Sequence, residues 1–207
     1  MSPLVLLDYA AVLIFALTGA LVASRAQLDI VGFAFMASIT AVGGGTVRDV
    51  LLDRNPVFWI GNPTYIFIAL GAAVFIYFTA HLVESRYRWL VWLDSFALAV
   101  AVPAGMAAAM MTLQPGPVLV MMGVTTGCLG GLLRDVVANQ VPLVLKQGEL
   151  YVTAALGGAL AGLLAMQFTH LTTPVLLTCA IVTWALRAGS IIFGWKLPVY
   201  KSRPPRQ

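Results

Sequence analysis

Two short segments hold the residues best suited to chemistry. Gly43-Gly44-Gly45-Thr46-Val47-Arg48-Asp49 and, 86 residues further on, Leu129-Gly130-Gly131-Leu132-Leu133-Arg134-Asp135 each place glycines ahead of an adjacent arginine and aspartate, inside long apolar runs. An ionisable group at membrane depth costs at least ~2.5 kcal/mol to insert, so such residues usually serve a site. Adjacent helical residues point about 100° apart, so each arginine is poorly placed to meet its own neighbour. The sequence therefore suggests pairs across a repeat interface, Arg48 with Asp135 and Arg134 with Asp49. The competing reading makes all four membrane-end charges that snorkel to water.

The glycines pose a second question. Gly43, Gly44 and Gly45 in one segment, and Gly127, Gly130 and Gly131 in the other, cost about 1 kcal/mol each relative to alanine in a helix. They either kink their helices or let them pack closely. A helix broken in the bilayer is tolerated only where it lines a cavity or is buried in protein, and matched breaks in two halves point to a transport site. Freed carbonyls, with the hydroxyls of Thr40, Thr126 and Ser38, would offer oxygen ligands to a cation. The match is imperfect, because Leu129 stands where Gly43 stands in the first copy, leaving two contiguous glycines instead of three.

Both segments must sit on membrane-spanning helices. Of 207 residues 60% are hydrophobic and 10% charged, with mean hydropathy +0.93, too little polar surface to coat a soluble globule. Windows of roughly 20 apolar residues, the length of a span, run over 3–24, 30–48, 64–83, 90–111, 118–137, 150–169 and 174–194. The offset of 86 also superposes Asp8 on Asp94, Gly19 on Gly105, Thr40 on Thr126, Pro56 on Pro142, Tyr65 on Tyr151 and Gly71 on Gly157, without a gap. The expected fold is thus all-α: seven transmembrane helices, built as an inverted repeat of two three-helix bundles plus a seventh helix. The repeats occupy 1–86 and 87–172, the seventh helix 173–195 and a basic tail 196–207. Three spans per copy is odd, so the second copy enters from the opposite side and a pseudo-two-fold lies in the membrane plane. The first window has no basic leader ahead of Asp8 and belongs to the repeat, so it reads as a retained span.

Arg25, Arg86, Arg88, Lys146, Lys196, Lys201, Arg203 and Arg206 fall on one side of this arrangement, Arg54 on the other. Basic residues mark the cytoplasmic face, which puts the N-terminus outside and the C-terminus inside. The loop Glu84-Ser85-Arg86-Tyr87-Arg88 joins the repeats, and Gln114-Pro115-Gly116-Pro117 turns between spans four and five. The net charge of +4 concentrates on that face, where it meets anionic headgroups; no nucleic-acid motif accompanies it. Pro198, Pro204 and Pro205 argue against a helix in the tail.

Catalysis finds no inventory: no nucleophile elbow, no HExxH, no phosphate loop and no His/carboxylate cluster at ligand spacing. No metal and no cofactor is expected. Cys128 and Cys179 read as buried free thiols. Asp8 and Asp94 read as acids complementing the starts of spans one and four. Arg187 reads as a snorkelling charge, and Trp59, Trp89, Trp92 and Trp195 as interfacial anchors.

Seven spans, an inverted three-plus-three repeat and Gly-rich segments followed by Arg-Asp in spans two and five resemble the bacterial members of the TRIC family, the trimeric intracellular cation channels. The resemblance covers roughly 5–195. It implies a homotrimer in an inner (cell) membrane. Each protomer would carry a pore for monovalent cations, chiefly potassium, lined by spans two and five with kinks at Gly43-Gly44-Gly45 and Gly130-Gly131. The rival reading is a secondary transporter of a small amino acid such as glycine, since half-helix N-termini bind carboxylates and inverted repeats support alternating access.

Overall fold

The computed structural model describes residues 3–82, 85–146 and 149–198. Glu84 and the tail residues Lys201, Arg203, Pro204, Pro205 and Arg206 lie outside them. The helices are α1 (Pro3–Arg25), α2 (Ile30–Leu51), a single turn α3 (Phe58–Gly61), α4 (Thr64–Thr79, extended by a 3-10 turn over Ala80–Leu82), α5 (Arg86–Met111), α6 (Gly116–Val137), α7 (Val152–Ala165) and α8 (Thr172–Phe193). Six stretches are long and apolar enough to cross a membrane, in close register with the windows read from sequence. The exception is the expected span at 150–169, where α7 has 14 residues, or about 21 Å at 1.5 Å each, short of a ~30 Å hydrocarbon core.

Helices α1, α2 and α4 pack on one another, as do α5, α6 and α7. The two sets meet through α1 against α5 and α2 against α6, and α8 covers α5 and α7. Ala16, Ala20, Ala97, Ala101, Ala104 and Ala108 are buried in the central helices α1 and α5, where small side chains let backbones approach. The outer faces are apolar and open: Phe67, Phe75, Phe78, Leu164 and Ile181 are all exposed, as lipid contact requires.

Helix ends repeat at the same offset as the sequence. Gln27, Asp53, Leu113 and Asn139 are the non-glycine residues with positive φ among those described, at 50° to 55°, and they form two pairs 86 apart. Each follows a helix in a Schellman arrangement: Arg54 N–H donates to Asp49 O (2.8 Å) and Asp53 N–H to Val50 O (3.3 Å), while Gln140 donates to Asp135 O (2.8 Å) and Asn139 to Val136 O (3.0 Å). The starts differ chemically. Asp29 caps α2 by accepting from Gly32 N–H at 2.8 Å, whereas Pro115 at the matching position precedes α6, whose first turn carries Pro117.

Leucine is the costliest of these four left-handed residues, and Leu113 is 92% exposed with no packing to lose. Leu113→Gly is expected to stabilise by about 1 kcal/mol, read as a rise of a few degrees in the detergent melting temperature. An unchanged or lowered Tm would contradict it.

Candidate functional site

The two glycine segments face each other where α2 crosses α6. A Cβ placed on Gly44 would strike the Thr126 carbonyl, and one on Gly130 would lie 2.9 Å from the Thr40 carbonyl. Because 44 meets 126 and 40 meets 130, the helices run antiparallel through the contact. Gly19 and Gly105 make the same kind of approach to α2 and α6, their Cβ positions 2.6 Å from Thr40 Oγ1 and Thr126 Oγ1. Both helices continue unbroken across their glycines. The expected interruption is therefore absent: Gly44 and Gly130 serve close backbone packing. Thr40 and Thr126 donate their hydroxyls to Met36 O (2.6 Å) and Met122 O (2.7 Å) of their own helices.

One turn beyond each end of the crossing lies a buried arginine held between two aspartates. Arg48 sets Nη1 and Nη2 on Asp8 (2.7 and 3.4 Å) and Nε on Asp49 Oδ1 (2.8 Å). Arg134 sets Nη1 on Asp94 Oδ1 (2.7 Å) and Nε on Asp135 Oδ1 (2.7 Å). Both guanidinium groups are 0% exposed. The expected pairs Arg48–Asp135 and Arg134–Asp49 are not formed. In an antiparallel crossing the level of Asp135 corresponds to residue 35 of α2, about 20 Å from Arg48 along the axis. The neighbouring aspartate is reachable after all, because the long arginine stem folds back and presents its Nε edge.

Asp8 and Asp94 are corrected too. They are 6% and 0% exposed, well inside α1 and α5, and act as ion-pair partners rather than helix-start charges. Snorkelling is likewise ruled out for Arg48, Asp49, Arg134 and Asp135, all buried. Arg187 is also 0% exposed and pairs Nη2 with Glu149 Oε2 at 2.9 Å, so it does not snorkel either. The offset aligned Asp8 with Asp94 in the sequence. An acid duplicated inside a span was the signal that each belonged to its copy's arginine.

Further ligands close each network. Asp49 accepts from Arg54 Nη1 (2.8 Å) and Phe58 N–H (2.9 Å), and the Phe58 ring lies 5.3 Å from the Arg48 guanidinium. Asp135 accepts from Leu143 N–H at 2.8 Å, but Gln140 stands where Arg54 stands in the first copy. Gly45 and Gly131 leave room for these groups: a Cβ on Gly45 would meet Phe58, and one on Gly131 would lie 3.1 Å from Tyr151 OH and 3.3 Å from Asp94 Oδ1. The α1/α2 network thus balances two arginines against two aspartates, while the α5/α6 network sets one arginine against two. Asp94 Oδ2, Arg134 Nη2 and Tyr151 OH have no hydrogen-bond partner among the described residues, the mark of the less complete network.

Gln140→Arg should supply the missing cation. The expected gain is about 1 kcal/mol, a few degrees in Tm, because a partly exposed arginine would join a buried carboxylate. The mirror change Arg54→Gln should lower Tm by a similar amount, and equal melting of all three proteins would refute the comparison.

Beside the crossing, at its Arg48 end, a cavity of about 20 Å³, enough for one water, is lined by Asp8, Phe15, Ala41, Gly44, Gly45 and Phe58 among others. Gly43 abuts Leu133, and Gly127 abuts Val102 and Leu98. The small-residue face of Gly158 and Gly162 is occupied within the chain by Thr183, Cys179 and Met106. Cys128 and Cys179 are buried free thiols.

A bundle of apolar spans with buried arginines each held between two aspartates beside a glycine crossing defines a polytopic membrane protein. The family model described as "Glycine transporter" matches residues 5–81 and again 91–167, at the same 86-residue offset. The UPF0126 membrane protein of Vibrio cholerae is 34% identical over 203 residues, covering 96% of this chain and 83% of its own. The UPF0126 inner membrane protein YadS of Escherichia coli is 35% identical over 200 residues, covering 94% of each. Among solved structures, the TRIC trimeric intracellular cation channel orthologue from Rhodobacter sphaeroides has a TM-score of 0.90 and 40% identity, covering 94% of this chain and all of that one. A second TRIC cation channel has a TM-score of 0.85 at 25% identity, covering 96% and 98%. The chain belongs to this family of TRIC-like UPF0126 membrane proteins.

Proposed function

We propose that the protein is a potassium-selective monovalent cation channel, a homotrimer with one pore per protomer between α2 and α6. It is no enzyme on this reading and needs no cofactor. Seven spans, with α7 as a short sixth, form two inverted repeats at 1–86 and 87–172, a seventh helix at 173–195 and a basic tail at 196–207. The chain lies in the inner membrane, N-terminus outside and C-terminus cytoplasmic, with basic residues against anionic headgroups.

One observation carries the reading: each intramembrane arginine is held between two carboxylates. An unpaired guanidinium beside the path would repel cations, whereas here the Arg48 network is neutral and the Arg134 network keeps a surplus carboxylate that favours them. The tight glycine crossing is the constriction, and conduction requires α2 and α6 to separate there, bringing the carbonyls of Thr40 and Thr126 to the path. The likeness to TRIC cation channels at up to 40% identity supports the same function.

The test is a planar-bilayer recording of purified protein under a potassium gradient. Unitary currents reversing near the potassium equilibrium potential are expected. The family description favours glycine transport as the second reading, and electrical silence together with saturable glycine uptake into liposomes would replace the channel by that transporter.

A further inference from the structure

Where α8 ends, a cleft of about 220 Å³ is lined by Tyr87, Glu149, Arg187, Ser190, Trp195 and Lys196 among others. Its floor is unusual. Arg187 is fully buried and spends Nη2 on Glu149 Oε2, while Nε and Nη1, also buried, have no hydrogen-bond partner among the described residues. Leaving guanidinium N–H groups dry and unpaired is costly, so such groups ask for an acceptor that the described residues do not supply. The Tyr151 ring, 5.1 Å from the guanidinium carbon, offers only its π face.

The surroundings select an anion. Lys196 is exposed at the cleft and its backbone bridges to Glu149. Tyr87 on the wall is shared by Lys146, which bonds its hydroxyl, and by Arg25, which lies 5.1 Å from its ring centre. Two cations, Arg187 and Lys196, thus line the cleft with one carboxylate, Glu149, already engaged by Arg187, and two more, Lys146 and Arg25, contact its Tyr87 wall. A compact oxyanion with several oxygens could be shared between a guanidinium and one or two ammonium groups.

The cleft also lies at the C-terminal end of α8, where an apolar span gives way to polar residues. Phe193 and Trp195, stacked with ring centres 5.6 Å apart, are exposed beside it and form an aromatic edge of the kind that marks the membrane interface. We propose that this cleft binds the phosphate of an anionic lipid headgroup, with Arg187 at the floor and Lys196 at the mouth. The assignment rests on the orientation proposed above but not on conduction, and its readout is binding, so a silent channel would leave it standing.

The experiment measures lipid retained by the purified protein in native mass spectra, and its melting temperature, with phosphatidylglycerol, phosphatidylcholine or inorganic phosphate added. The wild-type protein should retain and be stabilised by phosphatidylglycerol. Lys196→Gln, an exposed change that spares the fold, should weaken retention about fivefold. Arg187→Lys, which keeps the Glu149 pair, should weaken it further. Stabilisation by inorganic phosphate to the same extent, equally sensitive to both variants, would support the oxyanion site with a soluble ligand as its source. Retention equal in wild type and both variants, or equal for phosphatidylcholine and phosphatidylglycerol, would overturn the proposal.

Discussion

Arg134→Gln is expected to be the most damaging single substitution among the buried ion pairs, lowering stability by about 3–5 kcal/mol. For a chain of this size that is roughly 10 °C or more in Tm. The reasoning is a count of what each removal leaves behind. Without Arg134, Asp94 and Asp135 face each other with no cation among their partners. Without Arg48, Asp49 still holds Arg54, so one carboxylate is orphaned instead of two. Without Asp8, two guanidinium groups share Asp49 and one positive charge is surplus. Asp94→Asn leaves a neutral Arg134–Asp135 pair and should be the mildest of the four. The order Arg134→Gln, then Arg48→Gln and Asp8→Asn, then Asp94→Asn can be read from detergent melts on one day's protein. Finding Asp94→Asn as harmful as Asp8→Asn would sink the argument from charge. Because Asp94 supplies the surplus carboxylate of the Arg134 network, its asparagine variant should nevertheless lose cation preference, seen as a reversal potential displaced towards zero under the potassium gradient. The exchange Asp8→Arg with Arg48→Asp should recover part of the stability lost in either single change, whereas exchanging Arg48 with Asp135 should recover none, since those residues belong to networks at opposite ends of the crossing.

The repeat explains which parts of this arrangement were legible in the sequence. Span positions follow from apolar length, and α1, α2, α5, α6 and α8 fall within a few residues of their windows. The importance of Arg48, Asp49, Arg134 and Asp135 follows from placing charge where lipid would be. Their partners did not follow, because pairing depends on which face each helix turns to its neighbours. In α1 and α5 nearly every position is apolar, so periodicity reveals no inner face. Asp8 and Asp94 were therefore placed by their proximity to helix starts, when they are buried between α1 or α5 and an arginine. The same ambiguity affects glycine: Gly44 and Gly130 carry an identical local signal whether they break a helix or seat another against it. Only the facing carbonyls of Thr126 and Thr40 decide between the two. The Arg187 pairing is hidden for a related reason, since Glu149 lies 38 residues away and no local rule couples them.

Gly44→Ala tests the crossing itself, and its effect on stability should be second only to loss of the buried arginines. The added methyl would lie inside contact distance of the Thr126 carbonyl, a backbone atom of an unbroken helix that has no rotamer to yield. The helices must separate, and overpacking of this kind costs about 1–3 kcal/mol, partly offset by alanine's ~1 kcal/mol advantage in helix propensity. Gly130→Ala should cost less, because its Cβ would sit 2.9 Å from the Thr40 carbonyl and a smaller shift relieves it. Gly71→Ala is the control, with nothing within 4 Å of the new methyl, and should be neutral or slightly stabilising. Stability alone cannot distinguish a gate from a simple packing contact, so the decisive reading is electrical. If this contact is the closed constriction, wedging the helices apart favours the separated state, and Gly44→Ala should raise open probability while lowering Tm, with Gly130→Ala intermediate in both. A packing contact remote from the pore would lower Tm with gating unchanged. The opposite correlation, in which the wedge stabilises the protein and silences it, would place the conducting state at the tight crossing and require the path to run elsewhere than between α2 and α6.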